Sequence, residues 1–236
     1  MRTGHIAFIS AYCDRWCERC AFTTRCSAFA AEAAIAMCGD AGEGLELALG
    51  EPRPVEPDAQ PPEPIGAPCE ADDGTEPSEE EIERFQREQE AREARIENTS
   101  IMKLASAYSM LAWRWLRAER ETWGPNPDPV VREATEVIAW DHLLIRMKLG
   151  RALRSREAPF EDDRPIQNDA NGSAKLALIC IERSEASWRV VARASAGELP
   201  LMMADHLAQL RAELEEHFPD ARRFVRPGFD EEGPGD

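Results

Sequence analysis

Apolar side chains recur at intervals of three and four residues through the second half of the chain, the period of a helix that buries one face. Ile101, Leu104, Tyr108, Leu111 and Trp115 form the first such stripe. Upstream of it, Ser78 followed by Glu81 is a capping-box signature, and neither Gly nor Pro interrupts the chain between Ser78 and Gly124. This predicts one long helix, charged all round as far as Asn98 and core-forming beyond it, with Glu80–Arg84 and Glu88–Arg92 as supporting pairs. The run GPNPDP, from Gly124 to Pro129, ends it. Helical spacing resumes from Val130 to about Arg156 through Val137, Ile138, Leu144, Ile145, Leu149 and Ala152. A polar loop over 157–171 precedes a third helix, Ser173 to Ala194, and the stretch from Gly197 to Pro200 separates a fourth, Leu201 to His217, with Leu207, Leu210 and Leu214 on one face. No internal repeat and no useful strand-like alternation is present. Short breaks between successive helices favour antiparallel neighbours, so the expected fold is all-α, an antiparallel four-helix bundle over residues 78–218.

The flanks read differently. Residues 1–38 comprise a cysteine-rich module, YCDRWCERCAFTTRC over 12–26, and an alanine-rich helix from Ser27, its expected N-cap, to Cys38, ended by Gly39. Residues 39–77 lack periodicity and collect eight of the chain's 17 prolines, which predicts a flexible acidic linker. The tail, 219–236, holds Phe224 and Phe229 among charges and glycines and is expected to end in disorder.

The formal charge of −17 alters this picture only locally. Residues 40–98 hold 19 Asp or Glu against 5 Lys or Arg, a net −14, so the rest of the chain carries −3. Charge of this sign argues against the basic face that nucleic acid would require, so no nucleic-acid partner is expected, although the excess describes the linker more than the core. No apolar run approaches the roughly 20 residues of a membrane span, and the first ten residues are too short and too soon followed by charge to form a signal peptide. A cytoplasmic address is expected. In a reducing compartment, four of seven cysteines within one short window read as metal ligands or redox thiols rather than disulfides. Cys38, Cys69 and Cys180 stand alone.

The four are Cys13, Cys17, Cys20 and Cys26, spaced C-x3-C-x2-C-x5-C. Close intervals let small turns bring several sulfurs to one centre while backbone N–H groups offset their charge. Zinc modules usually draw two pairs from distant parts of a chain, whereas compact runs of four are more typical of iron-sulfur binding, so a 4Fe-4S cluster is expected ahead of zinc. Tyr12, Trp16 and Phe22 interleave with the ligands and suit a dry wall around the centre or a docking surface. The first three cysteines also look like the cluster motif of radical S-adenosylmethionine enzymes. That family uses a strand-and-helix barrel and leaves one iron open, whereas this chain has no βα repeat and supplies a fourth cysteine. The strings YCDRWCERC (12–20), DANGSAKLALI (169–179) and FVRPGFD (224–230) resemble those of an uncharacterised family of bacterial helical proteins, and together they span most of the chain. The resemblance implies no activity.

Ionisable residues also fall on apolar seams. In the second helix Asp141, His142 and Lys148 lie along stripes with Val137, Ile138, Leu144, Ile145 and Leu149, and in the third Lys175 and Glu182 accompany Leu178 and Ile179. Asp141 with Lys175, or Glu182 with Lys148, would pair across facing helices. A catalytic reading would enlist Asp141, His142, Lys148, Lys175 and Glu182, with Glu136 and Glu185 as further ligands; the competing reading is boundary side chains and structural ion pairs. A ferritin-like di-iron site is excluded in detail, because Ala139 stands where Glu136 would need a histidine three residues on. His206 and His217 share roughly one face of the fourth helix, the latter where a cation suits the helix dipole. Asp169, Asn171, Gly172 and Ser173 are expected to cap the third helix rather than cradle an anion. Trp115 and Trp188 belong to the core stripes. Three functions follow: a metal protein for electron transfer, redox chemistry or metal handling; a module for an unknown protein partner, stapled by structural zinc; or a bundle enzyme. Substrate and oligomeric state are not encoded legibly.

Overall fold

The computed structural model describes residues 4–50, 78–122, 128–158, 164–195 and 197–230. All regular structure among them is helical, seven α-helices with short 3-10 turns. They divide into two units: residues 4–50 with 225–230, and the described residues between 78 and 224.

In the first unit, α1 (Ser27–Cys38) forms where alanines cost no side-chain entropy. Its N-cap is Cys26 rather than Ser27, the thiol accepting from the Phe29 N–H at 3.5 Å. Gly39 ends it, and Asp40 caps α2 (Ala41–Leu49) by accepting from the Glu43 N–H at 2.9 Å. α2 occupies the start of the stretch expected to be linker. Its reason is close approach: a Cβ on Gly44 would lie 2.5 Å from the Ile35 Cα, so only glycine lets the two helices meet. Residues 51–77, with Cys69, lie outside the described residues.

In the second unit, the capping box of Ser78 and Glu81 opens α3 (Glu79–Glu97) as expected. The single long helix is not formed. α3 stops and α4 (Ser100–Thr122) restarts around Asn98 and Thr99, because both side chains bond the local backbone instead of extending the ladder. Asn98 Nδ2 donates to the Ala94 carbonyl at 2.8 Å, and Thr99 Oγ1 donates to Ile96 at 2.7 Å while accepting from the Met102 N–H at 3.4 Å. Trp123 and residues 124–127 lie outside the described residues. Asp128 caps α5 (Pro129–Glu157), and α6 (Asp169–Ala194) begins four residues earlier than expected because Asn168 is its cap, accepting from Asn171 N at 2.8 Å. α7 (Leu199–His217) starts at its proline-bearing first turn.

Helices α4 to α7 close a ring of contacts, α4 against α5, α5 against α6, α6 against α7 and α7 against α4. Inside lie Ile101, Tyr108, Ile138, Ile145, Leu149, Ile181, Trp188, Leu207 and Leu210, all fully buried. The charged α3 runs along α5 through Glu93–Arg154 at 3.0 Å and Glu157 with Arg92 and Arg95 at 3.6 and 3.4 Å. These pairs, half-buried to exposed, are worth little singly; Ile96, at 1% exposure, anchors the helix. The tail is structured through residue 230, with Ala221 and Phe224 buried and Lys175 Nζ donating to the Phe224 carbonyl at 2.5 Å, and its expected disordered end, 231–236, lies outside the described residues. No helix among the described residues is long and apolar enough to cross a membrane.

Two buried aromatic side chains tie α4 to α6. The Trp188 indole N–H donates to the Tyr108 hydroxyl at 3.2 Å, and Trp115 meets Trp188 edge-on with centroids 4.7 Å apart. Tyr108→Phe therefore strands a buried indole donor, and urea denaturation should show a loss of about 1–3 kcal/mol.

Candidate metal centre

Three short 3-10 turns, Ile9–Tyr12, Cys17–Arg19 and Thr23–Arg25, shape the cysteine run. Arg15 takes a left-handed φ of 60°, a conformation that costs about 1 kcal/mol or more in a non-glycine residue. The Asp14 carboxylate accepts from the Trp16 N–H at 3.1 Å and holds that reversal between Cys13 and Cys17. The turn at Cys17–Arg19 is closed by Cys20 N–H donating to the Cys17 carbonyl at 3.2 Å, so the C-x2-C pair sits on one turn. A second turn ends with Cys26 N–H on the Thr23 carbonyl at 3.3 Å, placing Cys26 at the head of α1.

These turns bring all four sulfur-bearing residues to one cavity of about 20 Å³, walled by Ile9, Trp16, Phe29 and Phe229. That is space for about one water or ion. Backbone donors already address two sulfurs, Phe22 N–H to Cys20 Sγ at 3.4 Å and Phe29 N–H to Cys26 Sγ at 3.5 Å. Such bonds, and the positive end of a helix at Cys26, favour thiolate. Burial pushes the Cys17 thiol up, and neighbouring Cys13, Glu32 and Cys20 add to the rise while Arg15 opposes it. That rise favours the neutral thiol at Cys17, a preference that a bound cation would oppose.

Among the described residues, no three His, Cys, Asp or Glu side chains are close enough together to grip one ion. The four cysteines thus share a cavity without forming a closed single-ion shell, in which every sulfur would stand about 2.3 Å from zinc. Four cysteine sulfurs are the kind of donor set that thiophilic metals prefer. Compared with family models, curated proteins and solved structures, the chain matches none.

Of the interleaved aromatics, Trp16 lines the cavity under the Arg19 guanidinium, 4.0 Å from its ring centroid. Phe22 instead stacks edge-on against Phe229 at 5.0 Å. Ile9, Phe29 and Phe229 were not expected as walls. Phe229 lies in FVRPGFD, a string that stood out by resemblance, but no local pattern links it to the cysteines. Cys38 is exposed and Cys180 buried, apart from the four.

The seam residues take other partners than those expected. Asp141, fully buried, accepts from Arg183 Nε at 2.9 Å and Nη2 at 2.5 Å and from Ser184 Oγ at 3.3 Å, rather than pairing with Lys175. Arg183 wins because its bidentate fork satisfies both carboxylate oxygens while its side chain stays 30% exposed. Glu182 pairs with Arg222 at 2.6 Å rather than with Lys148, which is half-buried. Lys175 is held by the Phe224 carbonyl, and Glu185 by Arg189 at 2.8 Å and Arg211 at 3.2 Å. Asp141, Lys175 and Glu182 are thus each held by a different partner. Asp169 is gripped by Arg151 and by Ser155 Oγ at 2.6 Å, and Asn171 donates to Pro165 and Ile166, both at 3.1 Å, which leaves the start of α6 satisfied rather than open to an anion. His206 Nε2 meets the Leu104 carbonyl at 2.9 Å, and His217 Nδ1 meets that of Glu213 at 2.9 Å.

His142 is the odd member. It is 7% exposed, its Nδ1 donates to the Ala139 carbonyl at 2.8 Å, and its buried Nε2 has no hydrogen-bond partner. Burial lowers its pKa, opposed by the Ala139 bond and by Asp141. Below the ordinary value of 6.5 the unfolded chain takes up a proton that the folded imidazole refuses, so stability falls as pH drops from there toward the folded pKa. His142→Leu should flatten the stability curve between about pH 7 and 5, followed by urea titrations. Asp141→Ala should cost about 3 kcal/mol in the same assay, through loss of a buried, paired charge.

Proposed function

We propose that the protein carries a metal centre on Cys13, Cys17, Cys20 and Cys26, an iron-sulfur cluster serving electron transfer, redox chemistry or metal handling. The observation that carries this reading is the convergence of all four cysteines on one apolar-walled cavity. The compact run of four cysteines, C-x3-C-x2-C-x5-C, favours a cluster over zinc. The cluster would supply one-electron chemistry when bound. This chain's part is to hold the thiolates, aim the Phe22 and Phe29 N–H groups at sulfur, and keep water out with Ile9, Trp16 and Phe29. The ring formed by α4 to α7 is read as an antiparallel four-helix bundle with structural polar pairs.

A second reading is a structural zinc that staples a module for a protein partner. The cavity's present size, matched to one ion, favours it.

Metal analysis of protein purified without oxygen separates the two. The expected result is a brown preparation with visible charge-transfer absorbance and iron matched by acid-labile sulfide, both lost in Cys17→Ser. Colourless protein with one zinc per chain would replace the cluster with the staple. Protein that takes up neither metal, after reconstitution with ferrous iron and sulfide or with zinc, would overturn both.

A further inference from the structure

The last described residues of the chain belong to the same unit as the cysteines. Val225–Asp230 forms a tight turn in which the N–H groups of Phe229 and Asp230 both donate to the Arg226 carbonyl at 3.1 Å. Arg226 then grips Asp230 four ways: its backbone N–H reaches Oδ2 at 2.9 Å, Nη2 reaches Oδ1 at 2.9 Å, and Nε reaches both oxygens at 3.2 Å. The two side chains are only 15% and 21% exposed, a more sheltered ion pair than most on this molecule. The same guanidinium lies 4.9 Å from the Phe229 ring centroid. This turn is therefore braced internally and presents one ring in a defined direction.

That ring faces the cysteines. Phe229 lines the cavity shared by Cys13, Cys17, Cys20 and Cys26, and it meets Phe22 edge-on, at 5.0 Å and 74°. The turn is seated by close backbone approach at Gly228, whose φ is +77°. A Cβ there would fall 2.8 Å from Ile6 Cδ1 and 3.1 Å from Ile9 Cδ1, and Ile9 is itself a cavity wall at 3% exposure. Glycine adopts this φ without strain, and a side chain there would also press on the tips of the two isoleucines.

We propose that Val225–Asp230 is a clasp that closes the thiolate site, with Phe229 as the positioning residue that shuts the cavity. Its purpose rests on the metal reading above, and the clasp then governs how fast the centre exchanges metal and meets water or oxidant. The physical basis is access. Thiolate centres lose metal and oxidise through solvent reaching the sulfurs, and an aromatic cover held by a local turn sets that rate through its own opening equilibrium. Without the ring, the cavity wall is formed by the N-terminal segment and α1 alone.

The test uses the full chain, metal-free and reduced, exposed briefly to iodoacetamide, with each cysteine's alkylation followed by mass spectrometry. Exposed Cys38 serves as the fast internal reference and buried Cys180 as the reporter of an intact bundle. Phe229→Ala should speed modification of Cys13, Cys17, Cys20 and Cys26 by about tenfold relative to Cys38, since the truncated ring leaves a gap that water fills. Cys180 should stay protected, and Phe229→Leu should recover most of the slow behaviour. Gly228→Val, which unseats the turn without touching the ring, should mimic Phe229→Ala. Unchanged alkylation in both variants overturns the clasp, as does acceleration that extends to Cys180 and is not rescued by leucine.

A second arm loads the chain with zinc, or with ferrous iron and sulfide, and times metal loss to a chelator. Faster loss from Phe229→Ala supports the clasp, and equal loss overturns it while leaving the metal reading intact. Failure of the native chain to load either metal, with the alkylation pattern as expected, instead sinks the metal reading and leaves the clasp as a cover over free thiols.

Discussion

Thiols gathered at one small cavity oppose one another's ionisation, and the architecture of the N-terminal unit answers that repulsion. Cys17 shows it directly: burial raises its pKa, and Cys13 and Cys20 push it further. A site of this kind is costly to assemble as bare thiolates and favourable to assemble around a cation. Each local device around it works in that direction. The left-handed Arg15 lets the chain reverse between two cysteines, the first turn of α1 presents the Phe29 N–H to Cys26, and a second sulfur receives the Phe22 N–H. Apolar walls then raise the strength of every electrostatic interaction inside.

The second unit solves a different electrostatic problem. Among its described residues the fully buried carboxylate, Asp141, is neutralised by an arginine whose side chain still reaches water and is further bonded by Ser184. His142 beside it does the reverse and avoids charge. Glu185 sits between two arginines, Lys175 is bound to a carbonyl, and Tyr108 is bonded to Trp188, with burial pushing its phenol up. Polar groups that meet partner by partner in this way fix helix register more than they gather reactants at one place. The contrast between the units, convergent sulfurs in one and dispersed, paired charges in the other, is the physical ground for seeking chemistry at the cysteines.

Much of the helical content was legible because it follows from local signals. The capping box at Ser78, the proline at the start of α5, Gly39 after α1 and the spacing of Ile101, Tyr108 and Trp115 all act within a few residues of themselves. The break at Asn98–Thr99 was also local in cause, but its signal is weak: two side chains that bond their own backbone, with no Gly or Pro to mark them. α2 was hidden for another reason, since its acidic, glycine-bearing sequence forms a helix where Gly44 can touch the backbone at Ile35.

Sequence by itself determined that the protein is helical, where most helices begin and end, and that four cysteines stand close enough along the chain for small turns to bring them to one centre. These are properties of near neighbours, read through period, cap and turn chemistry. Tertiary structure alone decided who partners whom at long range. It chose Arg183 for Asp141, where a bidentate fork reaches both carboxylate oxygens, and Arg222 for Glu182, where the same guanidinium also holds Glu215, although lysines had equal claim by period. It also placed Phe229, from the far end of the chain, in the wall of the cysteine cavity. No periodicity can announce such a contact, since it depends on a glycine turn fitting against Ile6 and Ile9 once both segments are folded.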